Sequence, residues 1–108
     1  MLRIAYITYE FMPDVAQGGV GTYVKQISNA LAAAGCDVHV FAGSFYNDSS
    51  YVQQQVNIHC IKCNDPFDFR DKVVATFEKI HTTHPFDIIE SAEIHGNGWE
   101  IKKKLPAT

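Results

Sequence analysis

The densest run of chemistry-bearing positions is Gly18-Gly19-Val20-Gly21, between the apolar segment Leu2–Tyr9 and the amphipathic stretch Thr22–Ala34. A helix that starts behind glycines presents backbone N–H groups and the positive end of its dipole where no Cβ intervenes. Such a place suits a phosphate or another anion. The plainer alternative is a tight strand-to-helix turn with no ligand, common in parallel sheets. The glycine order is neither Gly-x-Gly-x-x-Gly nor Gly-x-x-x-x-Gly-Lys-Ser/Thr. It therefore writes neither a standard dinucleotide turn nor a P-loop.

Carboxylates and histidines cluster in the same two regions. Glu10 follows the first apolar run, and Glu90 ends the run Phe86–Ser91. Paired there, they could bind sugar hydroxyls or do acid–base work; separately, each is a partly solvated residue capping a nearby helix. Nothing in the sequence fixes the separation that a glycosidase-like carboxylate pair requires. Glu93 and His95 follow the later strand, which makes His95 the best single candidate there for a ligand contact, the alternative being a plain surface histidine. Cys60-x-x-Cys63 beside His59 invites a zinc reading, but there is no second matching pair. Strand alternation also puts Cys60 and His59 on different faces, so no metal is expected. His81 and His84 fall near a helix end, where they can meet its last carbonyls.

The elements that must position these residues follow from periodicity. Residues 2–9 read as a strand buried on both faces, and Glu10–Gln17 as a loop punctuated by Pro13 and Asp14. Val20, Tyr23, Val24, Ile27, Leu31 and Ala34 recur at helical spacing, and Gly35 stops that helix. Val38–Ala42 is a second strand, Gly43–Gln55 a polar surface loop, and Val56–Ile61 a third, edge-type strand. Asp65-Pro66 opens a helix carried by Phe69, Val73, Phe77 and Ile80, with Phe67 also near the core. Phe86–Ser91 is a fourth strand, and Gly98–Leu105 a short helix holding Trp99. This order predicts an α/β, Rossmann-like parallel sheet with helices on both faces. Right-handed crossovers place strands one and four side by side, with two and three outward beyond strand one. A ligand belongs at the switch between strands one and four, outside their carboxyl ends.

Bulk properties narrow the function classes. The chain has 108 residues, 46% of them apolar, enough for one core and one domain or part of one. A net charge of -3 leaves no electrostatic footprint for nucleic acid. Lys102–Lys104 reads as a solvated helix face rather than a membrane patch. No apolar run approaches the ~20 residues of a membrane span, and no signal peptide is written at the N-terminus. Three cysteines make no disulfide framework, so a reducing cytoplasm is expected.

Taken together, three segments resemble the start of family 4-like glycosyltransferases of the GT-B type. They are Ile7–Pro13 with Gly18–Val24, Leu31–Val40 through Gly35-Cys36-Asp37-Val38, and Pro85–Glu90. The resemblance implies a retaining transferase (hexosyltransferase class) that moves a sugar from a nucleotide-sugar to a sugar, lipid or small-molecule acceptor. It makes residues 1–108 the first half of the acceptor-side N-terminal domain, whose donor-binding C-terminal domain is not in this sequence. Gly18 and Gly19 would line the donor diphosphate or sugar, and Gly21 would let the helix start approach closely. Glu10, Glu90 and His95 would face the acceptor. No catalytic residue, cofactor or metal is expected in the segment, since the nucleotide-sugar is itself a substrate. Enzymes of this kind often work at a membrane surface, so peripheral association with its inner face goes with the resemblance.

Two departures qualify it. Gly35-Cys36 stands where the family has Gly-His, and the sequence stops where a fifth strand and its histidine would follow. The segment by itself is thus expected to be inactive. The alternative is a truncated, non-catalytic ligand- or partner-binding α/β domain whose fourth strand is an open edge. A nucleotide-binding oxidoreductase half would need an acidic residue ending strand two, which instead ends Phe41-Ala42-Gly43-Ser44.

Overall fold

The structure, a computed structural model, describes residues 1–11 and 19–91. The first strand, β1 (Arg3–Thr8), is buried along almost its whole length, as a central parallel strand must be. Helix α1 (Gly19–Ala33) follows and ends in a Schellman-type cap. The Cys36 N–H donates to the Leu31 carbonyl at 3.0 Å and the Gly35 N–H to Ala32 at 3.0 Å. Gly35 adopts a φ of +98°, a conformation that only glycine takes up readily.

The chain then enters β2 (Asp37–Ser44), β3 (Ser49–Gln53) and β4 (Val56–Lys62). Helix α2 (Pro66–Thr83) and β5 (Ile88–Ser91) complete the described fold. Helix α2 starts at a composite cap. The Asp65 carboxylate accepts from the Asp68 N–H at 2.8 Å, while Asp68 accepts from the Asn64 N–H at 2.8 Å. Pro66 occupies the first turn, where its missing N–H costs nothing.

The sheet order is β3-β4-β2-β1-β5, parallel except for β3. The expected α/β, Rossmann-like sheet with helices on both faces is present, with the first and last strands neighbours. Alternation splits the interior into two cores. Ala5, Ile7, Phe41 and Ile61 face α2 through Phe69, Val73 and Phe77. Ile4, Tyr6, Val38, Val40 and Ile58 face α1 through Val24 and Ala32.

Four expectations need correction. Gly43–Gln55 is not all loop, because its second half forms β3, antiparallel to β4. The strand at Val56 is therefore interior and not an edge. The hairpin escaped notice because its two-residue turn is Gln54-Gln55, both left-handed (φ 50° and 68°), where asparagine and glycine are the usual signal. The apolar stripe of α1 is also rotated: Tyr23 is exposed, whereas Ser28 is buried and satisfies its hydroxyl on the Lys25 carbonyl. Finally, Phe67 lies exposed beneath the Arg70 guanidinium and does not join the core.

Candidate functional site

The strand order reverses between β1 and β5, and in open α/β sheets ligands bind outside the carboxyl ends of the strands at such a point. The exit of β1 is anchored on both faces. Tyr9 packs toward Phe45 and Phe69 on the α2 side, and Phe11 packs against the α1 core. Between them the Thr8 hydroxyl donates to the Glu10 carbonyl at 3.0 Å, folding the strand end back on itself. The first turn of α1 is pressed onto this point. A Cβ at Gly21 would lie 2.9 Å from the Glu10 carbonyl oxygen and 3.4 Å from the Phe11 Cα. Only a glycine allows this approach, because the obstacles are backbone atoms that cannot rotate away.

Gly19 differs: among the described residues, a Cβ there would meet nothing within 4 Å. Packing does not require it to be glycine. The first turn of α1 holds no acidic residue, so the positive end of its dipole is not neutralised from within the helix. The first N–H groups of any helix also lack partners inside it.

The predicted carboxylates are not cross-strand neighbours. Glu10 lies beyond the end of β1, while Glu90 is level with Tyr6 inside the sheet register. Four positions along a strand are up to about 13 Å. Glu90 instead acts on Tyr6, whose hydroxyl is held above the ordinary range by burial, with the Glu90 charge adding to it. Gly18, Glu93, His95, Trp99, Lys102–Lys104 and the helix expected at Gly98–Leu105 lie outside the described residues.

Cys60 and Cys63 contribute to opposite cores, Cys60 toward α1 and Cys63 toward α2. Burial raises the Cys63 thiol, so it stays protonated and unreactive. Among the described residues no three His, Cys, Asp or Glu side chains converge as a metal site.

A polar chain that the sequence reading passed over runs across the α2 face of the sheet. The Arg3 guanidinium holds Asp37 at 2.8 Å, and the Asn57 amide donates to the same carboxylate at 3.2 Å. His39 Nε2 lies 3.2 Å from Asp37, His39 Nδ1 lies 2.9 Å from His59 Nε2, and His59 Nδ1 lies 2.9 Å from the Ser50 hydroxyl. The two imidazole planes lie within 7° of each other with ring centroids 5.2 Å apart, so the rings meet edge to edge in nearly one plane, and His59 also stacks on Phe41.

Burial opposes the charge on Asp37, but the Arg3 hydrogen bond and the nearby cationic groups win and hold its carboxyl below the ordinary range. Burial lowers His39, outweighing the attraction of Asp37. Burial, and then the charge of His39, lower His59 to about 4. His39 gave no signal because Val38-His39-Val40 reads as plain strand. Its partner lies 20 positions away and is supplied only by strand pairing.

No curated protein matches the chain. The family model for Glycosyltransferase Family 4 matches residues 17–106, taking in α1, the sheet beyond β1 and α2. With the α/β fold and a glycine-led helix at the switch point, that match places the chain in Glycosyltransferase Family 4.

Proposed function

We propose that the chain is the acceptor-side part of a retaining, GT-B-type enzyme that moves a sugar from a nucleotide-sugar donor to an acceptor. The observation that carries this reading is Gly21 against the Glu10 carbonyl, which seats the first turn of α1 over the carboxyl end of β1. A helix start held there brings about half a positive charge and several aligned N–H donors to one place. During glycosyl transfer the departing diphosphate gains negative charge. Fixed donors stabilise that charge without reorganising during the reaction.

In this reading Gly19, whose Cβ position meets none of the described residues, lets the donor diphosphate approach the backbone, and Gly18 is assigned the same role. Gly21 serves the packing beneath it. Backbone N–H groups supply the compensation for the diphosphate charge, and no metal or cofactor is assigned. Glu10, whose backbone carbonyl abuts the helix start at Gly21, is assigned to the acceptor side. Glu90, deeper along β5, and His95 belong to the acceptor wall. None of them is assigned a catalytic step. The work of this segment is positioning, with the donor-binding domain supplying the rest of the site.

The assay is an amide NMR titration of the chain with uridine-, guanosine- and adenosine-diphosphate sugars at millimolar concentration. One donor is expected to shift the amides of Gly19, Val20 and Gly21 together. Shifts confined to other elements, or none with any donor, would overturn the assignment of the helix start.

A further inference from the structure

The hydrogen-bonded chain from Ser50 to Asp37 has a direction, set at its charged end. Asp37 is held as a carboxylate by Arg3 and Asn57, so His39 must present Nε2–H to it. The Arg3 Nη2 contact with the same nitrogen is longer, at 3.5 Å, and cannot reverse this choice. His39 Nδ1 is then an acceptor and receives Nε2–H from His59. His59 Nδ1 is in turn an acceptor, and receives the Ser50 hydroxyl proton. Every ring nitrogen in the chain is satisfied with both imidazoles neutral.

This direction determines what protons can do. A first proton, taken from water, adds to His59 Nδ1. The Ser50 hydroxyl, which rotates freely, turns from donor to acceptor and keeps the bond. The proton between the rings can then move from His59 Nε2 to His39 Nδ1. This leaves His59 neutral with Nδ1–H on Ser50, and His39 as an imidazolium on Asp37. No hydrogen bond is lost in either form. A second proton has no such place. It leaves N–H groups on both sides of the 2.9 Å contact between His39 and His59, with no lone pair between them.

We propose that Ser50, His59, His39 and Asp37 form a one-proton relay that latches the edge strand β3 to the sheet, and that a second proton opens the latch. β3 is the element that answers, because all five of its residues are exposed. It is joined to β4 by its backbone ladder, and Ser50 bonds the ring of His59 beneath it. An edge strand with no fully buried side chain opens more readily than the strands inside the sheet, and an anchor of this kind then bears on its protection.

The charged and titratable neighbours come from every adjoining element. Arg3 from β1 repels a cation on His39, and Asp37 from β2 attracts it. From α2, His81 stacks on Phe77 and Phe86, and Phe86 meets the His39 ring edge-on. Asp87 is engaged by the Arg3 N–H, and the His84 carbonyl by the Arg3 guanidinium. Burial lowers both histidines, His59 to about 4, in keeping with a neutral pair at pH 7.

The experiment is imidazole nitrogen NMR on the 108-residue chain from pH 8 to pH 4, with amide exchange read on the same samples. Expected first are both imidazoles in the Nε2–H form at pH 8, then coupled shifts of both rings as one proton enters, with β3 protection unchanged. At lower pH, exchange in β3 rises at least tenfold beyond its intrinsic pH dependence, while β1 and β2 stay protected. His59→Phe keeps the ring on Phe41 and removes both nitrogens, so its β3 exchange loses the acid response. Ser50→Ala, at an exposed position, moves the first uptake to lower pH because it deletes the acceptor for the added proton. Independent titration of the two rings, simultaneous loss of protection in all strands, or an unchanged acid response in both variants would each overturn the proposal.

Discussion

Alanine placed separately at Gly19 and at Gly21 divides packing from ligand approach. At Gly21 the new Cβ meets the Glu10 carbonyl oxygen at 2.9 Å, the Glu10 carbonyl carbon at 3.3 Å and the Phe11 Cα at 3.4 Å. All three are backbone atoms, so relief requires α1 or the β1 exit to move. Forced overpacking of this kind costs about 1–3 kcal/mol. The better helix propensity of alanine returns at most about 1 kcal/mol, leaving a net loss of up to about 2 kcal/mol. At Gly19 the Cβ meets none of the described residues within 4 Å, and the lower chain entropy of alanine stabilises by about 0.4–1 kcal/mol. The two variants should thus differ by about 0.4–3 kcal/mol, or upwards of about 2 °C in Tm for a domain of this size. Urea and thermal unfolding followed by far-ultraviolet circular dichroism measure the difference. A Gly21→Ala protein as stable as Gly19→Ala would refute the claim that α1 is pressed onto the β1 exit. If the donor approaches at Gly19, Gly19→Ala keeps its stability and loses the amide shifts that the donor induces.

Acid should destabilise the chain earlier than carboxylate titration alone would. His59 is held near 4 in the folded state against about 6.5 when unfolded, so between these values the unfolded chain binds more protons. Stability is complete above about pH 6.5 and falls as the pH drops toward 4. The loss is about 1–2 kcal/mol once solvent access at the Ser50 edge is discounted. Urea midpoints that stay flat between pH 7 and pH 4.5 would contradict this. Phe77→Ala removes a fully buried ring that stacks on His81 and Phe86, and should cost about 3–5 kcal/mol in urea unfolding. Replacing Gln54-Gln55 by Asn-Gly relieves two left-handed side-chain-bearing residues, and should raise stability by about 1 kcal/mol without changing the β3–β4 register in amide spectra.

Much of the architecture was legible because its causes are local. Apolar runs without alternation mark strands buried on both faces. Gly35 marks the end of α1, and Asp65-Pro66 the start of α2, because each supplies or removes a single backbone requirement. The strand order followed from connection lengths and handedness, and the glycine run from its place behind a strand. Tertiary structure alone decided three things. It showed that Gly21 answers to the Glu10 backbone while Gly19 answers to none of the described residues. It separated Glu10 from Glu90 through the register of β1 and β5. It also joined His39 to His59 and Ser50 across three strands. Propensity and periodicity describe one segment at a time, whereas these contacts depend on which residues stand opposite one another when segments pair. A histidine within a strand looks the same in sequence whether its ring meets solvent, a phenylalanine or a second imidazole.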